Sequence, residues 1–151
     1  AVVGDTTGRS KIKYFFTDID MLTTPKQSQL EKAQAFTNFE VNFTLDQDTM
    51  NKIKRAVSAL GHKVVSVTPS NGAIALTVLD PENSTSNTFS IEIPGTYEGE
   101  SFNFTWNIEN LKILPGDCNV QLSSKLMSKW VHTEANVTYW IAIEKSSTYG
   151  A

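Results

Sequence analysis

Residues 39–61 read Phe-Glu-Val-Asn-Phe-Thr-Leu-Asp-Gln-Asp-Thr-Met-Asn-Lys-Ile-Lys-Arg-Ala-Val-Ser-Ala-Leu-Gly, and two hydrophobic periods follow one another within them. Phe39, Val41, Phe43 and Leu45 alternate with Glu40, Asn42 and Thr44, the pattern of a strand with one buried face. The period then changes. Met50, Ile53, Val57 and Leu60 recur at i, i+3, i+7 and i+10, which puts them on one stripe of a helix. Asp46 or Asp48 supplies an N-cap, and Gly61 ends the helix.

Working outward, strands are predicted at 63–68, 73–79 and 88–93, with Asn71-Gly72 as a two-residue hairpin turn and a polar loop over 81–87. The order then restarts. Phe102-Asn-Phe-Thr-Trp106 is a strand, Asn107 a cap, and residues 108–114 a short helix stopped by Pro115-Gly116. Three further strands fall near 119–125, 129–134 and 137–145. The unit βαβββ thus occurs twice. Asn42-Phe43-Thr44 followed by Asp46 matches Asn103-Phe104-Thr105 followed by Asn107 at the same spacing. The expected fold is α+β, built from a duplicated βαβββ unit with two helices on one face of the sheet.

Upstream, residues 1–17 read as a loose end followed by an aromatic-rich strand, Lys11-Ile-Lys-Tyr-Phe-Phe16. Residues 18–35, broken by Thr23-Thr24-Pro25, read as a connector that carries three apolar residues, Ile19, Met21 and Leu22. Residues 36–151 form the main domain.

The whole chain has 151 residues, 40% hydrophobic and 19% charged, with net charge −3, which suits a domain able to build its own core. No apolar run approaches the ~18 residues of a spanning helix, so no membrane partner is expected. A single cysteine, Cys118, excludes an intrachain disulfide framework. Four N-x-S/T sites, at Asn42, Asn83, Asn103 and Asn136, leave secretion open, although Asn42 and Asn103 fall inside predicted strands. The chain starts at Ala1 without a leader, as a fragment would.

Catalysis has little to work with. Nothing in the sequence marks His62 or His132 as an acid or base, Cys118 lacks a helix N-terminus or local basic neighbours to lower its pKa, and no phosphate loop, nucleophile elbow or metal spacing occurs. No enzyme activity, cofactor or metal is expected. The basic residues say more. On a helical wheel Arg55 points away from the Met50/Ile53/Val57/Leu60 stripe, with Lys52 beside it, Lys54 on the flank and Lys63 just beyond the helix end. Such a face can hold phosphates by charge without reading bases. In the last long strand Tyr139, Ile141 and Ile143 share the core face, so Trp140 falls on the outer one.

At Gly95-Thr-Tyr-Glu-Gly-Glu-Ser-Phe-Asn-Phe104 and Asn107-Ile-Glu-Asn-Leu-Lys-Ile-Leu-Pro-Gly116 the sequence resembles the second half of the sliding clamps of T-even-like bacteriophage DNA polymerases. The similarity extends more loosely over nearly the whole chain. It implies a non-enzymatic processivity factor in the cytoplasm of an infected bacterium. Subunits of that family form closed trimeric rings in which helices face duplex DNA, sheets form the outer wall, and the replicative polymerase is tethered by its C-terminal peptide. It also implies a clamp loader as partner. Carried onto this chain, the resemblance implies DNA contact at Lys52, Lys54, Arg55, Lys63 and, on the second helix, Lys112. Ile19, Met21, Leu22, Trp140 and Tyr149 become candidates for the partner-peptide pocket. Lys11, Lys13 and Tyr14 of one copy would add to the edge strand carrying Ser90 and Glu92 of another. The competing reading is an extracellular β-sandwich for adhesion or carbohydrate binding, supported by strand content and the four N-x-S/T sites but not by the amphipathic helix.

Overall fold

The computed structural model describes residues 2–4 and 6–150, apart from the side chain of Ile19, in two units, Ala1–Phe36 and Thr37–Ala151. In the first, β1 (Val2–Gly4) and β2 (Lys11–Lys13) pair as an antiparallel hairpin with Val3 opposite Ile12. The strand expected over 11–16 is therefore shorter, and its partner is the segment read as a loose end. Gly8, at φ +70°, occupies a left-handed conformation between the two strands that costs a glycine little. A 3₁₀ turn at Ile19–Met21 and a helix, α1 (Gln27–Ala35), occupy the stretch read as a connector. The α1 segment is Gln-Ser-Gln-Leu-Glu-Lys-Ala-Gln-Ala, composed mostly of good helix formers, and Gln29 Oε1 accepts from the Lys26 N–H at 2.9 Å to cap it.

The second unit runs β3 (Val41–Leu45), α2 (Gln47–Leu60), β4 (Val64–Ser70), β5 (Ala73–Leu79), β6 (Phe89–Ile93), β7 (Phe102–Asn107), a 3₁₀ turn at Ile108–Asn110, β8 (Cys118–Ser123), β9 (Met127–His132), β10 (Thr138–Ala142) and β11 (Thr148–Tyr149). All pairings are antiparallel, in two sheets ordered β10-β9-β8-β3 and β11-β7-β4-β5-β6. The duplication is visible in this order. Each repeat makes a three-stranded meander, β4-β5-β6 or β8-β9-β10, and lends its first strand to the other's meander, β3 to β8 and β7 to β4.

The repeats differ most in the segment after their first strands, which corrects the expected pair of helices. Val64 lies eighteen residues after the cap Asp46, whereas Cys118 lies eleven after Asn107. Seven residues are about two helical turns. Pro115 further restricts Leu114 to extended backbone, so the predicted helix 108–114 is reduced to the single turn Ile108–Asn110. Asn107 still caps it, accepting from the Glu109 N–H at 3.0 Å.

One core fills the second unit. Met50, Ile53 and Ala56 of α2 join Val65, Val67, Leu76, Val78, Phe104 and Trp106 from one sheet and Val41, Val120, Leu122, Trp130 and Ile141 from the other. At its centre Trp106 and Trp130, both fully buried, pack with ring centroids 5.2 Å apart. Their indole N–H groups converge on a single oxygen. Ser128 Oγ accepts from Trp106 Nε1 at 3.2 Å and from Trp130 Nε1 at 3.0 Å, and donates to the Ile141 carbonyl at 2.7 Å. Since Trp106 belongs to one sheet and Trp130 to the other, this hydroxyl joins the two sheets through the dry interior.

Candidate nucleic-acid interface

Helix α2 is fixed at both ends. Asp46 Oδ1 accepts from the Thr49 N–H at 2.6 Å, and these hydrogen bonds hold its carboxyl below the usual carboxylate range. Gly61, at φ 71°, terminates the helix in the left-handed conformation, its N–H bonded to the Val57 carbonyl. The loop before β8 clasps the N-terminus. Asp117 Oδ1 accepts from the Gln47 N–H at 2.8 Å, and Gln47 Oε1 accepts from the Gly116 N–H.

That loop is in turn pinned by His132. Its Nε2 bonds the Pro115 carbonyl at 2.8 Å, while Nδ1 accepts from the N–H groups of Glu134 and Ala135 at 3.1 and 2.9 Å. The imidazole lies so close to Gly116 that a Cβ there would overlap it, and Gly116 also has φ +134°. His132 is thus a structural pin. Cys118 is buried, and burial followed by the Asp117 charge pushes its thiol up, away from reactivity. Among the described residues no group of three or more His, Cys, Asp or Glu is placed to hold a metal, and no helix is long and apolar enough to cross a membrane.

Thr49, Met50, Ile53 and Ala56 of α2 face the core, while Lys52, Lys54 and Arg55 are exposed. The exposed cations are not equivalent. Lys52 Nζ pairs with Asp48 Oδ2 at 2.6 Å, and that hydrogen bond and charge raise its ammonium above the ordinary lysine value. Lys63, beyond the helix, pairs with Glu109 Oε1 at 3.4 Å. The Lys54 and Arg55 side chains make no ion pair or hydrogen bond among the described residues. Lys112 is exposed, but it lies beyond the 3₁₀ turn and not on a second helix.

The other candidates are divided between the units. Met21 and Leu22 are exposed in the first; Ile19 contributes backbone to a 3₁₀ turn, and its side chain is outside the described residues. In the second, Tyr149 stacks on Phe104 with centroids 6.2 Å apart, and Trp140 stands opposite Lys129 on the face turned away from Tyr139 and Ile141. Among the described residues nothing accepts from the buried Trp140 indole N–H. Lys11 and Lys13 lie in the β1–β2 hairpin, with Lys13 Nζ 5.0 Å from the Phe15 ring centroid, and Tyr14 is exposed just after it. Ser90 and Glu92 are exposed on β6, the outermost strand of its sheet, where they bond Thr77 Oγ1 at 2.9 Å and Ser70 Oγ at 3.1 Å.

A duplicated strand–helix–meander unit, two sheets around one core and an outward basic helix define an α+β DNA-clamp domain. A solved structure of Caulobacter crescentus pol III beta has this fold, with a TM-score of 0.54 and 21% identity over 72% of the present chain; the match spans 31% of that chain's length. The family described as gp45 sliding clamp, C terminal, matches residues 42–145, and the chain belongs to that family. No curated protein sequence matches it significantly. The β-sandwich adhesion reading finds no support in these likenesses.

Proposed function

We propose that this chain serves as the C-terminal ring domain of a non-enzymatic polymerase processivity clamp of the T-even-like phage type. It holds duplex DNA without reading sequence and tethers the replicative polymerase by a C-terminal peptide. The observation that carries this reading is the division of α2 into a core face and an exposed cationic face within a clamp-family fold. Duplex DNA presents phosphates in every sequence, and exposed Lys54 and Arg55 suit contact by charge.

Ring closure, in a trimer, is assigned to the outer edge of β6 around Ser90 and Glu92, which receives the Lys11–Lys13 strand and Tyr14 of a second copy. The β6 edge is supported by its outermost position, and Glu92 complements Lys11 and Lys13 in charge. Candidate contacts for the polymerase peptide are Trp140 and Tyr149 in the second unit and, taken by themselves, Ile19, Met21 and Leu22 in the first, where the exposed apolar side chains of Met21 and Leu22 support such contact. A clamp loader opens the ring, in the cytoplasm of an infected bacterium.

The test is topological. Clamps assembled from subunits carrying this domain and loaded on nicked circular duplex are expected to resist a high-salt wash and to leave promptly when the circle is cut. Equal retention on circular and linear DNA would contradict encirclement.

A further inference from the structure

The basic face is interrupted by its own acids. Asp48 lies seven residues before Arg55, which at 100° per residue puts the two within about 20° on the wheel, on the outward face of α2. Its carboxylate occupies Lys52 at 2.6 Å. Glu109, on the 3₁₀ turn that replaces the second helix, occupies Lys63 at 3.4 Å. These pairs are half to three-quarters exposed: side-chain exposure is 49% and 75% for Lys52 and Asp48, and 69% and 60% for Lys63 and Glu109. Such surface pairs add little to stability. Their larger effect is on any phosphate arriving at this face, which must displace a carboxylate to reach either lysine and meets a negative charge beside it.

We propose that Asp48 and Glu109 are resident counter-charges that compete with DNA phosphates for Lys52 and Lys63, so that the duplex is gripped mainly through Lys54 and Arg55 and held weakly enough to slide. This rests on the DNA-holding reading above and adds to it which cations are engaged and which are masked. A clamp that encircles its ligand does not need tight binding at each subunit. Every phosphate fully neutralised adds about 0.9 to the salt exponent of binding, so two masked lysines lower that exponent substantially.

The test uses the whole chain and a fluorescent duplex of about 30 base pairs, titrated over a salt series. Asp48→Asn and Glu109→Gln are each expected to tighten binding at low salt roughly fivefold, and to steepen the dependence of log K on log salt by up to about one unit for each freed lysine. Asp48→Glu keeps the charge and the i,i+4 pair and should bind as the unaltered chain does, which a purely structural role for Asp48 would not require. Lys54→Glu/Arg55→Glu is measured alongside. If that pair abolishes binding while Asp48→Asn and Glu109→Gln leave affinity and slope unchanged, or weaken binding, the counter-charge proposal is overturned and the DNA reading stands. If no protein binds even at low ionic strength, the counter-charge proposal is overturned while the nicked-circle test still decides encirclement; if binding persists unchanged in Lys54→Glu/Arg55→Glu, the DNA-facing role of α2 fails and the proposal with it.

Discussion

Replacing Ser128 by alanine is expected to lower the unfolding free energy by about 2–4 kcal/mol, far beyond the usual cost of removing one hydroxyl. The native oxygen accepts from two buried indole N–H groups and donates to the Ile141 carbonyl. Alanine leaves both tryptophan donors in a fully buried site with no acceptor, and each such group costs roughly 1–3 kcal/mol. Because Trp106 and Trp130 come from different sheets, the loss also removes a polar link between the two sheets. Urea unfolding followed by tryptophan fluorescence measures it. A change under about 0.5 kcal/mol would mean that the hydroxyl is dispensable, because that is the scatter of unremarkable surface substitutions.

The largest functional effect is expected from Lys54→Glu/Arg55→Glu. Each replacement reverses a charge, so the helix face changes by four units in every subunit of a ring. With Lys52 and Lys63 already paired to acids, Lys54 and Arg55 are the α2 cations without an ion-pair partner among the described residues. Clamp-dependent synthesis on long templates should fall at least about tenfold, and the deficit should be largest at low salt, where charge contacts with phosphate count most. Both side chains are exposed, so unfolding behaviour should stay the same. Lys125→Glu, an exposed change in the β8–β9 turn, serves as the control and should leave synthesis intact. Unchanged processivity in Lys54→Glu/Arg55→Glu would remove α2 from the DNA-facing surface.

The first repeat is legible in the sequence because its signals are local. Alternation at residues 39–45, the cap at Asp46, the stripe from Met50 to Leu60 and the stop at Gly61 each act within one turn or one strand. The second repeat is legible in order but not in length. Its helix disappears because Cys118 follows Asn107 by only eleven positions, a constraint that operates through the distance between two strands and not through residue preference.

Contacts at long sequence separation were harder to read. The predicted strand 129–134 starts one residue too late to include Ser128, whose position in the alternation Ser128, Trp130, His132 marks it as inward-facing. His132 acts through the Pro115 carbonyl seventeen residues away, which no local pattern announces. The masking of Lys52 was within reach. Asp48 and Lys52 stand at i,i+4, but Asp48 also suited a cap, and only the bond from Thr49 to Asp46 decides between the two.

The central claim, that α2 faces the duplex while the sheets face outward, is tested most directly by site-specific photo-crosslinking within the DNA-loaded clamp. Cys118 is 1% exposed, so a cysteine introduced on the surface can be labelled selectively. A photoreactive group at Ala59→Cys, exposed on α2, is predicted to crosslink to duplex DNA, whereas the same group at Ala142→Cys, exposed on β10 on the face turned away from the core, is predicted not to. Crosslinking from Ala142→Cys with none from Ala59→Cys would contradict the account.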